Sequence, residues 1–222
     1  MGKIYTALGL MSGTSMDGVD ASIIKSDGDR EYSIKMDEYF EYGSELRQKL
    51  INIREKVLVI DDLKTHSDEI KSLEKEITLF HANAVNKILE TSKIEIDLIG
   101  FHGQTIFHDP SINITKQMGD GNMLSQLTKK LVVYDFRQND LKNGGQGAPL
   151  APIYHYLLVK TFNEKGKIKV PTIILNIGGI ANITSINESY KMTSMDVGPG
   201  NCLIDKWIMS NSNKSFDNNG DI

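Results

Sequence analysis

Gly9-Leu10-Met11-Ser12-Gly13-Thr14-Ser15-Met16-Asp17-Gly18-Val19-Asp20 decides how the remaining chain reads. An apolar run, Ile4 to Leu10, leads into it, and a second, Ala21 to Ile24, leads out. Two apolar runs joined by Gly, Ser, Thr and Asp predict a β-hairpin with a polar tip. Glycines at 9, 13 and 18 permit a sharp turn and a close approach to a ligand. Ser12, Thr14 and Ser15 add hydroxyls, while Asp17 and Asp20 can hold a metal ion through water. Those groups suit a phosphate chain and its Mg²⁺. An ordinary surface turn has a similar composition. This tip, however, is longer than a tight hairpin needs, and similar stretches recur downstream.

Composition narrows the setting. The 222 residues suffice for one large domain or two small ones. Hydrophobic residues make up 40% and charged residues 24%, as in soluble globular proteins. A net charge of −4 argues against nucleic acid or an anionic membrane as the main partner. No apolar run reaches the roughly 18 residues that span a bilayer. Met1-Gly2-Lys3-Ile4-Tyr5 carries no signal-peptide pattern. The single cysteine, Cys202, excludes an internal disulfide and fits a reducing cytosol, so a cytoplasmic location is expected.

Downstream, Glu31 to Tyr39 continues the sheet, and Ser44 to Lys56 reads as a surface helix. Asp61 or Asp62 can cap a long helix running to about Ser92. Its stripe of Ile70, Leu73, Ile77, Phe80, Ala84 and Ile88 faces a sheet, with His81 beside it as a partly buried structural histidine. Ile96 to Phe101 predicts a strand ending in His102-Gly103-Gln104-Thr105, where open α/β sheets collect ligands. His102, His108 and Asp109 lack helical spacing and a third ligand, which weighs against a metal site there.

Gln117 to Asn122 is a second Gly-rich turn, followed by a short helix and a strand from Leu131 to Phe136. Arg137 and Asp140 then precede Gly144-Gly145-Gln146-Gly147-Ala148-Pro149. Carboxylates that accept sugar hydroxyls and an arginine donor fork can orient a polyhydroxylated ligand; salt-bridged loop closure is the alternative use. A helix is expected over Ile153 to Phe162. Thr172 to Ile177, Gly178-Gly179 and Ile180 to Thr184 then repeat the layout of strand, glycine tip and strand. Tyr190 to Val197 reads as a strand, after which Asp196-Val197-Gly198-Pro199-Gly200-Asn201 opens a helix from Cys202 to Met209. The free N–H groups of that helix start are an expected anion site. No Gly-Lys-Ser/Thr follows any of these glycines, so none is a P-loop. One glycine-tipped hairpin in each half instead suggests two lobes clamping a nucleotide's phosphates.

Six segments together resemble the anhydro-N-acetylmuramic acid kinases, of the sugar kinase, actin and chaperone ATPase superfamily. They are Gly9 to Asp20, His102 to Thr105, Asp135-Phe136-Arg137 with Asp140, Gly144 to Leu150, Asn176 to Asn182, and Asp196 to Asn201. Their order and their extent over nearly the whole chain make the match specific. The resemblance implies an α/β, actin-like (ribonuclease H-like) two-lobe fold, with residues 1–150 as the N-terminal lobe. Residues 151–222 would be a partial second lobe.

By the same resemblance the activity is ATP- and Mg²⁺-dependent. Water opens 1,6-anhydro-N-acetylmuramic acid while O6 takes the γ-phosphoryl group, and N-acetylmuramic acid 6-phosphate results, a step of peptidoglycan recycling. Asp196 is implied as the general base. Ser12, Gly13, Thr14, Ser15, Met16, Asp17, Gly18, Val19 and Asp20 would face the nucleotide phosphates, with Gly178, Gly179 and Asn182 opposite. His102, Gly103, Gln104, Thr105, Arg137, Asp140, Gly198 and Asn201 would lie near the sugar, and Asp17 and Asp20 near Mg²⁺. A homodimer is implied as well. Gln138 and Asn139 stand where the family is often basic. Family members run well past 300 residues, so the expectation is a fragment lacking the later adenosine-binding segment. A fragment of that kind that binds sugar or phosphate without turnover is the alternative reading; another sugar or acyl-phosphate kinase is a further one.

Overall fold

The apolar runs around the glycine turn become two antiparallel strands, β1 (Tyr5–Ser12) and β2 (Gly18–Ser26), paired from Tyr5 with Ser26 to Met11 with Asp20. The structure, a computed structural model, describes residues 2–214, 216–217 and 219–221. It divides into two compact units, residues 1–148 and 149–222.

In the first unit β3 (Tyr32–Glu41) extends the hairpin, and β4 (Leu98–Asp109) runs parallel to β1 on its other edge. β4 is longer than the strand expected over Ile96 to Phe101. It changes partner partway, pairing with β1 as far as Gln104 and from Gln104 onward with antiparallel β5 (Ile114–Met118). His102 to Thr105 therefore lie within a strand, not in a loop at its end. β6 (Leu131–Val133) pairs in parallel with Leu98 to Gly100. Three antiparallel strands flanked by parallel ones, in the order β3-β2-β1-β4-β6, form a mixed α/β sheet of ribonuclease H-like topology.

Helices cover one face of this sheet. α1 (Ser44–Lys56) falls where the sequence predicts it. The single long helix expected over 61–92 is two helices, α2 (Ile60–Thr65) and α3 (Ser67–Ser92). The Asp62 carboxylate takes the N–H groups of Leu58 and Val59, which closes the start of α2, and His66 leaves helical geometry at φ −101° and ψ 20°. α3 buries Ile70, Leu73, Ile77, Ala84 and Ile88 against Leu8, Leu10, Ile23, Ile99 and Phe101. Each such side chain contributes about 1.5–3 kcal/mol when fully buried.

α3 also carries a polar seam at helical spacing. Glu74 accepts from Lys116 Nζ at 2.7 Å and Gly119 N at 3.2 Å, and Thr78 Oγ1 accepts from Asp120 N at 2.9 Å. His81, the third member, is fully buried rather than partly so. α4 (Gly121–Thr128) follows β5, with the Asp120 side chain capping it through Met123 N. The strand expected to reach Phe136 ends at Val133. Asp135, at φ +61°, turns the chain into α5 (Phe136–Lys142), a helix read from the sequence only as a loop.

In the second unit α6 (Ala151–Glu164) leads to a meander of β7 (Thr172–Ile177), β8 (Ile180–Ile186) and β9 (Met192–Pro199), then α7 (Cys202–Asn211). Strand, strand, strand and helix thus recur in the order of β1 to α1. Thr184 and Ile186 are fully buried, and His155 on α6 reaches Thr184 Oγ1 at 2.7 Å, so α6 packs on that face. On the opposite face Ile173, Leu175, Ile177 and Met195 are each more than half exposed. Among the described residues, β7 pairs with β8 alone.

Candidate active site

Between β1 and β2 the turn is held by donors that come from behind it. Gln104 Nε2 donates to the Gly13 carbonyl at 2.8 Å, Arg54 Nη1 to Thr14 O at 2.8 Å, and Tyr42 N to Asp17 O at 2.8 Å. In a trans peptide, the C=O of one residue and the N–H of the next point in opposite directions. Tying down the Gly13 and Thr14 carbonyls therefore turns the N–H groups of Thr14 and Ser15 away from the protein, while that of Gly18, opposite the carbonyl held by Tyr42, points across the hairpin toward β1. Among the described residues, no acceptor meets the N–H of Thr14 or Ser15. Outward N–H groups in a concave turn are what an anion requires.

Within the turn the predicted residues divide. Thr14 and Ser15 are exposed, whereas Ser12, Met16, Gly18 and Val19 are buried. Met16, at φ +54°, drops its side chain into the core and so pins the middle of the turn. The Ser12 hydroxyl faces inward to Tyr42 and His81, so this residue anchors the turn from below. Ser15 Oγ donates to Asp17 Oδ1 at 2.6 Å. Burial, then the neighbouring Asp17 charge, raise the Asp20 pKa. Tyr39 is pushed up to about 12 by burial and by the charges of Asp17, Glu41 and Asp20. Asp17 and Asp20, near enough for their charges to interact, suit a hydrated divalent ion. Among the described residues no cluster of three ligating side chains exists, so direct coordination by protein alone does not fit.

The His102-Gly103-Gln104-Thr105 run serves three places. Gln104 belongs to the turn just described, and its Oε1 is buried with no donor among the described residues. Thr105 Oγ1 accepts from Gln117 across β5 at 3.1 Å. Gly103, at φ +72°, lies so close to Met118 that a Cβ would fall 2.5 Å from its carbonyl oxygen. His102 alone turns to α5. Its Nδ1 donates to Gly103 O at 2.6 Å, leaving Nε2 to accept from Arg137 Nε at 2.7 Å. Burial and then the Arg137 charge lower the His102 pKa to about 4, so the ring is neutral.

Arg137 Nη1 also donates to Gly147 O at 2.8 Å, and Asp140 Oδ2 accepts from Gly147 N at 2.8 Å. A Cβ on Gly145 would strike the Asp140 carboxylate, so a side chain there would push Asp140 out of this position. His102, Arg137 and Asp140 are thus brought together, with three of Arg137's five N–H donors uncommitted in these bonds. Gln138, singled out as a departure from the family, bridges Asn113 O and Thr115 N and so braces the β4–β5 turn. His108 is occupied by Thr115 Oγ1 at 3.1 Å.

The second unit repeats the device. Gly200 N and Cys202 N donate to Gly179 O at 3.0 and 3.3 Å, and Asn201 N donates to Gly178 O at 2.8 Å. At the start of α7 the Asn201 and Cys202 N–H groups, with that of Gly200 just before them, restrain the glycine tip, so the donors left for an anion there are those of Leu203 and Ile204. That restraint turns the N–H groups of Gly179 and Ile180 the other way. A Cβ on Gly200 would sit 2.1 Å from the Gly178 carbonyl oxygen. Gly200→Ala is expected to destabilise this unit by about 2–4 kcal/mol, since backbone must move; a denaturant midpoint equal to the wild type's would refute this.

Asp196 pairs directly with Asn182, and Asn182 with Asn176, so three polar side chains form one row across the sheet. The register slips between Ala181 and Asn182, next to that row. Asp196 is exposed, whereas the Asn182 Oδ1 is buried and has no donor among the described residues. Gly198, at φ +151°, has open space around it. Sequence reasoning missed Tyr42 and Arg54, and it named His81 as a structural histidine without its bond to Ser12. A polar residue at a core-facing position of α3 was the one signal pointing to His81.

Comparison with known proteins adds the family. The model for "Anhydro-N-acetylmuramic acid kinase" matches residues 5–222. Curated proteins of that name are similar over the whole chain: 54% identical in Pelagibacter ubique, 42% in Agrobacterium fabrum and 40% in Rhizobium etli. Each alignment covers 99–100% of this chain and 58–60% of the relative, so the chain spans about three fifths of those proteins' length. Among solved structures, an Aquifex aeolicus Ppx/GppA family member aligns over 92% of this chain and 54% of its own, at 12% identity and a TM-score of 0.43.

Proposed function

Since the chain belongs to the anhydro-N-acetylmuramic acid kinase family, we propose that it takes part in ATP-dependent opening and 6-phosphorylation of 1,6-anhydro-N-acetylmuramic acid. The observation that carries this reading is the Gly13 to Asp20 turn, whose carbonyls are tied back and whose N–H groups of Thr14 and Ser15 are free. Bound there, ATP supplies the γ-phosphoryl group. Thr14 and Ser15 would hold its phosphates, and Asp17 and Asp20 would hold the water shell of Mg²⁺. Gly178, Gly179 and Asn182 are assigned the corresponding role in their own unit.

Asp196 acts as general base. Its carboxylate takes a proton from water as the oxygen attacks the anomeric carbon, the C1–O6 bond breaks, and O6 leaves with the electron pair that then attacks the γ-phosphorus of ATP, whose bond to the bridging oxygen breaks to release ADP. Phosphoryl transfer needs position and charge neutralisation more than covalent help. His102, Arg137 and Asp140 suit the sugar: a neutral ring, a donor fork and a carboxylate fixed around one glycine loop. Gly198 and Asn201, beside Asp196 in the chain, are assigned to the sugar also.

The test is ADP release with 1,6-anhydro-N-acetylmuramic acid, glucosamine or acetate as acceptor. Release that needs both Mg²⁺ and the anhydro sugar supports the reading. Equal release with glucosamine or acetate counts against it.

A further inference from the structure

Ser12 ends β1 where the glycine turn begins, and its hydroxyl is almost completely buried. The hydrogen positions there follow from the partners. His81 Nδ1 lies 2.8 Å from the Ile77 carbonyl oxygen, which can only accept, so Nδ1 carries the proton. Nε2 of the neutral ring is then a bare acceptor, and the Ser12 hydroxyl 3.1 Å away donates to it. Ser12 has a single proton, so the Tyr42 hydroxyl, 2.9 Å away, donates to Ser12 Oγ. Donation runs one way, from Tyr42 through Ser12 and His81 to the backbone of α3.

Tyr42 grips the turn a second time. Its backbone N–H holds the Asp17 carbonyl, so one residue fixes the two ends of the turn, Ser12 and Asp17. Apolar side chains of like volume would fill the same space. They would not fix the rotation of Ser12, which here is bonded in two directions, and with it the exit of β1 into the turn.

We propose that Tyr42, Ser12 and His81 are positioning residues for phosphate binding, a one-way hydrogen-bond relay that preforms the turn so that its outward N–H groups meet an anion without reorganising. The inference rests on the phosphate-binding reading of that turn. Preorganised donors gain affinity because ordering is done before the ligand arrives.

Tyr42→Phe removes only the hydroxyl and keeps the ring against Phe80, where the centroids are 4.8 Å apart. The experiment is calorimetric binding of MgATP and of magnesium tripolyphosphate to the 222-residue chain and its variants, each checked for folding by a thermal melt. Tyr42→Phe and His81→Leu are expected to weaken both probes alike, by about 5- to 10-fold, the loss of one hydrogen bond. His81→Gln offers a side-chain carbonyl oxygen to Ser12 and is expected to stay within about threefold of wild type, less than one hydrogen bond's worth. Tyr42→Phe and His81→Leu chains that melt earlier yet bind both probes as wild type does would overturn the relay alone. A wild-type chain that binds neither probe would overturn the phosphate reading, and the relay with it.

Discussion

Asp196→Asn is expected to lower turnover by about 10²- to 10⁴-fold while leaving the affinity for MgATP within about twofold, the signature of a lost general base. Asparagine keeps the size and the cross-strand place opposite Asn182 but cannot take a proton from water. The row of Asn176, Asn182 and Asp196 survives the change, so the sheet should not be disturbed. Stopped-flow ADP release with the anhydro sugar reads the turnover, and calorimetry reads the nucleotide. Near-normal turnover would remove Asp196 from the base role and pass it to Asp140, the carboxylate held by Gly147 N in the first unit.

Acid should unfold the first unit through its histidines. Burial pushes the His81 pKa from 6.5 to about 4, and His102 moves to about 4 for the same reason, helped by Arg137. Both rings are neutral in the fold. Above the unfolded pKa neither state binds the proton, and stability is independent of these groups. As pH falls below about 6.5 the unfolded chain takes up protons that the folded chain refuses, and stability declines until the pH passes about 4. For His81 the full loss amounts to about 3 kcal/mol at 1.36 kcal/mol per unit. Urea midpoints at pH 7 and pH 4.5 measure the drop, and His81→Gln should shrink it. An equal drop in both proteins would place the acid sensitivity elsewhere.

Much of this architecture is legible in the sequence, because period and punctuation carry it. The apolar runs Ile4 to Leu10 and Ala21 to Ile24 announce the first two strands, and the helical stripe from Ile70 to Ile88 names a buried face before any coordinates. Glycines 13, 178 and 179 mark the tips of both hairpins. What stayed hidden depends on contacts between distant residues. Tyr42 is 30 residues from Ser12, His81 is 69 from it, and Gln104 is 91 from Gly13, separations that no local pattern encodes. The length of β4 was missed because the strand trades one neighbour for another at Gln104, and composition does not change there. At the start of α7 the expected free donors are fewer than the sequence suggests, because only the fold reveals that Gly178 and Gly179 take those of Asn201 and Cys202. The division of Gly9 to Asp20 into inward and outward residues was likewise beyond reach, since Met16 anchors the turn by an unfavoured backbone angle.

The open side of β7 governs how this chain behaves as a colloid. A strand paired along one edge offers a row of backbone donors and acceptors to any strand that drifts past. Here that row adjoins an exposed face of Ile173, Leu175, Ile177 and Met195. A net charge of only −4 over 222 residues supplies weak mutual repulsion. Concentration, more than temperature, is therefore expected to set the working limit for this protein in the tube: its light scattering should climb with protein and salt while both units are still folded.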